Sequence, residues 1–260
     1  MMNKRRALGQ HFLRDAAIAR AIAALLEPTR RDLVVEIGPG EGALTDELAR
    51  RSGRLVALEV DRALIERLRR RFPDVEVLEA DARTWAYGTL VRPPGGRVLV
   101  VGNLPYSVSK PIVAALLEAR AAIDAMALML QREVAERLAA PPGSKVYGAL
   151  SVLTQAVCDV ELALRVPPGA FRPPPQVESA VVRLTPRATP RVPAALDVRF
   201  REVVKAAFGR RRKTLANALA GGLGIPLGAA REAATTSGVD PARRAETLAI
   251  EDFVTIAARL

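Results

Sequence analysis

Apolar residues along this chain change their spacing at Leu33 and again at Val198. Ahead of Leu33, Asp15 is followed by Ile18, Ile22, Leu25 and Leu26, a helical spacing that predicts a helix capped by Asp15 and closed near Pro28. From Leu33 onward, short apolar runs alternate with amphipathic stretches. The runs are Leu33 to Ile37, Arg54 to Val60, Val75 to Leu78, the run from Val98 that stops at Gly102, and Ala125 to Leu130. Between them the pattern predicts helices from Ala43 to Arg51, Ala63 to Phe72, Ser109 to Ala119 and Arg132 to Leu138. Strands that alternate with helices in this way imply βαβ units and a parallel, doubly wound sheet. A further helix is predicted from Leu150 to Val157. Two β-rich runs follow, Val160 to Val166 and Ser179 to Leu184, separated by Phe171-Arg172-Pro173-Pro174-Pro175, which can be neither helix nor central strand. These two runs are expected to form an antiparallel pair at the sheet edge.

Pro186 to Pro193 reads as a linker, and Val198 to Leu260 carries short helical patterns and no strand pattern. The expectation is a Rossmann-like α/β domain over residues 1–188 with a basic amino-terminal arm, and a small all-helical domain over residues 189–260. No internal repeat is visible.

Composition adds a partner class and removes several chemistries. Half of the 260 residues are hydrophobic, enough for a sizeable core. Lys+Arg number 39 against 28 Asp+Glu, a net charge of +11 that favours a polyanionic partner such as nucleic acid or an anionic membrane surface. With Cys158 the only cysteine and His11 the only histidine, a disulfide framework, a Cys-based zinc site, a His-rich metal site and a Ser-His-Asp triad are all excluded. No stretch is long and apolar enough to span a bilayer, so a cytoplasmic, non-membrane protein is expected.

Candidate chemistry sits at the ends of the predicted strands, where open α/β sheets bind ligands. Glu36-Ile37-Gly38-Pro39-Gly40-Glu41-Gly42 follows a strand and opens a helix. Glu59 ends the next strand, where a carboxylate can accept two ribose hydroxyls, and Asp81 ends the third, where it can accept from an adenine amino group. On these residues NAD and S-adenosylmethionine are close competitors. Glu41 in the loop and Glu36 before it favour the cationic cofactor, S-adenosylmethionine, over a pyrophosphate. An antiparallel sheet edge also suits a methyltransferase better than a dehydrogenase.

After the run from Val98 comes Asn103-Leu104-Pro105-Tyr106. It offers one amide acceptor, a pre-proline carbonyl as a second acceptor and a flat aromatic face, parts that fit a planar amino group. Arg210-Arg211-Arg212-Lys213 precedes an amphipathic pattern and is expected to contact RNA.

Taken together, Leu8 to Leu13, Glu36 to Thr45, Glu59, Asp81, Asn103 to Tyr106, Gln131-Arg132-Glu133, Phe171 to Ser179 and Phe208 to Leu219 make the chain resemble the small-subunit ribosomal RNA adenine dimethyltransferases. The resemblance implies a class I S-adenosylmethionine-dependent methyltransferase sheet. It also implies N6,N6-dimethylation of two adjacent adenosines in the 3′-terminal hairpin of 16S rRNA, with the immature 30S subunit as partner and the chain acting as a monomer. Carried over by position, His11 and Leu13 border the cofactor, Gly38 and Gly40 line it, Glu59 holds the ribose and Asp81 the adenine. Asn103 borders the cofactor and stands between it and the target base; Tyr106 is then expected to stack on that base, with Phe171 near its other face or the methylated product. His11 departs from the Asn usual at that place, and only a backbone contact would survive the change. The rival readings are the erythromycin-resistance type methyltransferase of 23S rRNA and a non-catalytic ribosome-assembly factor on the same fold.

Overall fold

The computed structural model describes residues 11–210 and 212–260. In chain order the elements are β1 (Phe12–Leu13), α1 (Ala16–Ala24), β2 (Leu33–Ile37), α2 (Ala43–Ala49), β3 (Arg54–Glu59), α3 (Arg62–Arg71), β4 (Glu76–Glu79), β5 (Val98–Asn103), α4 (Ser109–Glu118), β6 (Ala125–Gln131) and α5 (Arg132–Ala139). They continue with α6 (Ala149–Gln155), β7 (Cys158–Val166), β8 (Phe171–Arg172), β9 (Ser179–Pro186), α7 (Asp197–Gly209), α8 (Leu215–Leu223), α9 (Leu227–Thr236) and α10 (Ile250–Ala257).

Seven strands form one sheet in the order β4-β3-β2-β5-β6-β9-β7. The pairs from β4 through β6 are parallel and β9 runs antiparallel to β6, so the sheet is mostly parallel with an antiparallel end, as the alternating pattern predicts. Every residue of β2 is buried, and so are all of β5 and β6 except their last residues. A parallel strand covered on both faces reads as a continuous apolar run, which is why the sequence shows no alternation there. Asp15 caps α1 as expected, its carboxylate accepting from the backbone N–H groups of Ala17 and Ile18.

Strand order reverses between β2 and β5. From β2 the chain proceeds outward to β3 and β4, then returns to place β5 on the other side of β2. Their carboxyl ends meet in register, Ile37 opposite Gly102. The approach is close: a Cβ on Gly102 would lie 2.9 Å from the Ile37 carbonyl oxygen. Such a reversal opens a crevice at the strand ends.

At the opposite end of the same two strands, buried Asp32 joins them. It accepts from the Thr29 N–H and hydroxyl, the Arg97 N–H and the Arg97 guanidinium. Burial alone would raise its pKa, but these donors outweigh burial and hold it at about 2.

A second, two-stranded sheet has no counterpart in the periodicity. β1 pairs antiparallel with β8, Phe12 opposite Arg172 and Leu13 opposite Phe171. The Pro-rich segment thereby receives the chain that follows the amino-terminal arm, a pairing between segments too short to show a period.

The chain packs as two compact units, one made of the chain through Ala135 with Val160–Pro186, the other of Glu136–Asp159 with Arg187–Leu260. Glu136–Asp159 thus packs with the carboxyl-terminal helices, whereas the sequence boundary at residue 188 groups it with the sheet. Within this helical unit, the Gln155 side chain donates to the Leu138 and Ala140 carbonyls, and the Arg191 N–H to the Ala156 carbonyl. The Phe208 ring lies between those of Tyr147 and Phe253, 6.0 and 5.8 Å away.

Candidate active site

One cavity at the β2/β5 crevice collects most of the residues singled out from the sequence. His11, Leu13, Gly38, Gly40, Glu59, Asp81, Asn103, Leu104, Pro105 and Tyr106 all line it. Five elements deliver them. Leu13 comes from β1, with His11 just ahead of it; the glycine loop follows β2; Glu59 ends β3; Asp81 follows β4; and Asn103 ends β5.

The glycine loop turns through positive φ at Gly38, Gly40 and Gly42, a region L side chains rarely adopt. Space forbids side chains there as well. A Cβ on Gly40 would fall 2.8 Å from the Phe12 ring, and one on Gly38 would lie 3.4 Å from the Asn103 carbonyl oxygen.

Glu59 is buried and anchored by its own surroundings. One carboxylate oxygen accepts from the Val60 and Asp61 N–H groups at 2.8 and 3.0 Å, and the other from the Gly40 N–H at 3.3 Å. The second oxygen, with one long contact, is the freer acceptor toward the cavity. Asp81 is gripped by Arg83, whose guanidinium donates to both carboxylate oxygens and whose N–H donates to one. The Arg83 side chain is the main cause that holds Asp81 below the usual carboxylate range, so Asp81 stays ionised and acceptor-only at neutral pH.

Glu36 departs from its expected role. It is fully buried and does not line the cavity, so it presents no charge to a cationic ligand. Burial pushes its pKa up to about 8, Thr45 pulling the other way and the charge of Glu59 adding to the rise. At neutral pH it is a neutral acid beneath the loop.

The Asn103 amide nitrogen donates to the His11 carbonyl at 3.1 Å. A carbonyl only accepts, so this contact fixes which way the amide faces and leaves Oδ1 as the side-chain acceptor for a ligand. His11 therefore touches Asn103 through its backbone, a contact that does not depend on which side chain stands at this place. Its ring Nδ1 reaches the Pro173 carbonyl at 2.8 Å and so carries the proton, and the ring itself lies 5.7 Å from that of Tyr106. Tyr106 is half-buried, with its hydroxyl 2.6 Å from the Ser179 hydroxyl. Burial raises its pKa, the Ser179 hydrogen bond opposing, and the phenol remains protonated.

Phe171 is a correction. It is 3% exposed, belongs to the apolar core with Leu13 and Val181, and does not line the cavity. Its place in β8 opposite Leu13 turns it into core, so it offers no second stacking face. Of the basic run, Arg210, Arg212 and Lys213 are exposed on the turn between α7 and α8, and Arg211 lies outside the described residues. A Cβ on Gly221 would fall 2.7 Å from Arg210 Cζ, so the Arg210 guanidinium rests on α8. Sequence reasoning missed Arg83, the His11 carbonyl and Ser179. Ser179 stands at the end of the Phe171 to Ser179 stretch, but its partner is 73 residues away, and no local spacing reports that.

Among the described residues no group of three or more His, Cys, Asp or Glu is placed to hold a metal ion, and no helix is long and apolar enough to cross a membrane.

Comparison with known proteins gives a consistent result. The profile of the family described as "Ribosomal RNA adenine dimethylase" matches residues 1–260. A "Ribosomal RNA small subunit methyltransferase A" of Geobacter sulfurreducens is 45% identical over 97% of this chain and 93% of its own length. A protein of the same description from Methylibium petroleiphilum is 46% identical over 98% and 96%. Among solved structures, the 23S rRNA methyltransferase ErmE superposes with a TM-score of 0.73 at 30% identity, covering 96% of this chain and 99% of its own. A dimethyladenosine transferase from Plasmodium falciparum superposes with a TM-score of 0.80 at 24% identity, covering 95% and 96%, and supports the fold.

Proposed function

The chain belongs to the ribosomal RNA adenine dimethylase family, and from that premise we propose that it uses S-adenosylmethionine to dimethylate N6 of two adjacent adenosines in the 3′-terminal hairpin of 16S rRNA. The observation that carries this reading is the meeting of an amino-group site, Asn103 to Tyr106, with a cofactor site, Gly38, Gly40, Glu59 and Asp81, in one crevice.

The residues fit the cofactor. The loop at Gly38 and Gly40 brings backbone to the cavity wall, where a side chain on Gly40 would collide with Phe12. Glu59 has an acceptor oxygen for ribose hydroxyls, and ionised Asp81 can accept from the adenine amino group. When bound, S-adenosylmethionine supplies a methyl carbon made electrophilic by its sulfonium.

The remaining work falls to the chain. The N6 lone pair of adenine is delocalised into the ring, so the amino group is a poor nucleophile as it stands. Asn103 Oδ1 and the Leu104 carbonyl accept from its two N–H bonds, favouring a pyramidal nitrogen whose lone pair is directed at the reacting carbon. Tyr106 stacks on the extruded base and also favours the positive charge that develops on it, a stack being worth about 1–3 kcal/mol. Displacement of this kind is governed by alignment, which can supply roughly 7–11 kcal/mol. With a neutral thioether as the leaving group, the methylated nitrogen is cationic and strongly acidic and gives its proton to water, so a strong base is not required. For the second transfer only one N–H remains, so one acceptor suffices.

The carboxyl-terminal region, residues 189–260, is the RNA-binding part in this proposal, with Arg210, Arg212 and Lys213 on the α7–α8 turn meeting phosphates. The immature 30S subunit is the substrate particle, the chain works as a monomer, and the reaction is cytoplasmic. Incubating isolated small and large ribosomal subunits with radiolabelled S-adenosylmethionine tests this. Label is expected in the small-subunit rRNA, with uptake by an Arg212→Glu/Lys213→Glu variant reduced and less salt-dependent. Label in the large subunit instead would assign the chain the 23S activity of the ErmE type.

A further inference from the structure

The Tyr106 ring stands on a turn, after Pro105 and ahead of α4, where backbone alone does not set its direction. Its carbonyl is tied to the Ser109 hydroxyl at 3.2 Å, but the ring can rotate about two side-chain bonds unless something holds the far end. Ser179 holds it. The two hydroxyl oxygens are 2.6 Å apart, and Ser179 is fully buried at the start of β9, opposite Gln131 in the antiparallel pairing with β6. The direction of the ring is thereby set by β9, a strand held between β6 and β7 at the antiparallel end of the sheet. His11, whose ring is tilted 36° to that of Tyr106, is fixed in turn by the Pro173 carbonyl. The segment from Phe171 to Ser179 serves the cavity through its last residue, since Phe171 is core.

We infer that Ser179 is a positioning residue for methyl transfer, acting through Tyr106, and that its main effect is on the second of the two transfers. The inference rests on the reading of Asn103 to Tyr106 as the target-base site. In the first transfer the unmethylated amino group can be oriented by two hydrogen bonds, to Asn103 Oδ1 and the Leu104 carbonyl, as well as by stacking. After one methyl group has been added, only one N–H remains, and stacking carries a larger share of the alignment. A Tyr106 ring freed to swing therefore slows the second step more than the first. A merely structural Ser179 would lower stability and leave the ratio of the two products alone.

The test is nucleoside mass spectrometry of small-subunit rRNA after limited reaction with wild type, Ser179→Ala, Tyr106→Phe and the double variant. Each single variant removes one hydroxyl of the pair and keeps the ring. Expected is a rise in the ratio of N6-monomethyladenosine to N6,N6-dimethyladenosine of about three- to tenfold in either single variant, the range for one neutral hydrogen bond. The affinity for S-adenosylmethionine should be unchanged, and the double variant no worse than the larger single. If Ser179→Ala does not fold, Tyr106→Phe decides alone, because it deletes the same contact from the exposed side. Wild-type product ratios in the folded single variants, or effects that multiply in the double, overturn the inference. Tyr106→Ala separates this from the site assignment: abolished transfer with normal ratios in Ser179→Ala and Tyr106→Phe sinks only the role of Ser179, whereas undiminished transfer in Tyr106→Ala sinks the site.

Discussion

The two sides of the cavity are held in place by different kinds of contact. On the cofactor side, Glu59 is anchored by Val60 and Asp61, its immediate successors, and by Gly40, 19 residues away across one βαβ unit. Asp81 is anchored by Arg83, two residues on. On the side proposed to receive the base, the Asn103 amide meets the His11 carbonyl, 92 residues away, and the Tyr106 hydroxyl meets that of Ser179, 73 residues away. The two carboxylates of the cofactor side are thus held by groups near them in sequence, although the glycine loop itself packs against Phe12 of β1. The target side forms only once the amino-terminal segment and the antiparallel end of the sheet have both docked.

If the two sides are separable, damage to one should leave the other working. The largest effect on the cofactor side is expected from Glu59→Gln. It removes the negative charge from a buried, hydrogen-bonded acceptor and should weaken S-adenosylmethionine binding by roughly 10- to 150-fold, the equivalent of about 1.5–3 kcal/mol for hydrogen bonds to a charged group. Turnover at saturating cofactor should fall by no more than a few-fold. Calorimetric titration alongside kcat measurement checks it, and a collapse of kcat with normal affinity would erase the distinction between the sides.

A smaller effect, on stability and not on transfer, is expected from Glu36→Gln. The carboxyl of Glu36 has a folded pKa of about 8 against an ordinary 4.5. Its native form therefore keeps a proton that the unfolded chain has lost, and the stability it contributes is full below about pH 4.5 and is lost as pH rises through about 8. Wild type should lose on the order of 1–3 kcal/mol between pH 6 and pH 8 from this group. Gln cannot titrate, so thermal unfolding of Glu36→Gln should show a flatter pH dependence over that window. Parallel curves for the two proteins would mean that Glu36 is not held neutral beneath the glycine loop.

The same contrast explains what could be read before the fold was known. The parallel sheet was legible because strands covered on both faces must be apolar throughout, as β2 is. That Gly38, Gly40, Glu59 and Asp81 meet in one cavity was legible because each has a fixed place relative to a predicted strand end. Asn103 and Tyr106 stood out by residue type, but their supports did not: neither the His11 carbonyl nor the Ser179 hydroxyl carries any local signal that points to them. Phe171 misled for a related reason. Its aromatic side chain beside a Pro-rich turn suggests a stacking face, and only the pairing of β8 with β1 turns it inward. Glu36 misled because its charge was read from its type, and burial removes that charge.

On the proposed reading Asn103, which also borders the cofactor, acts chiefly by orienting an adenine amino group for transfer. The most direct measurement compares wild type with Asn103→Ala on the same preparations, scoring N6,N6-dimethyladenosine in small-subunit rRNA and the affinity for S-adenosylmethionine. Dimethyladenosine made by wild type, a loss of transfer on the order of 10²- to 10³-fold in the variant and a cofactor affinity unchanged within about twofold are the predicted results. Methylation by Asn103→Ala at the wild-type rate, with the cofactor bound as before, would contradict the account.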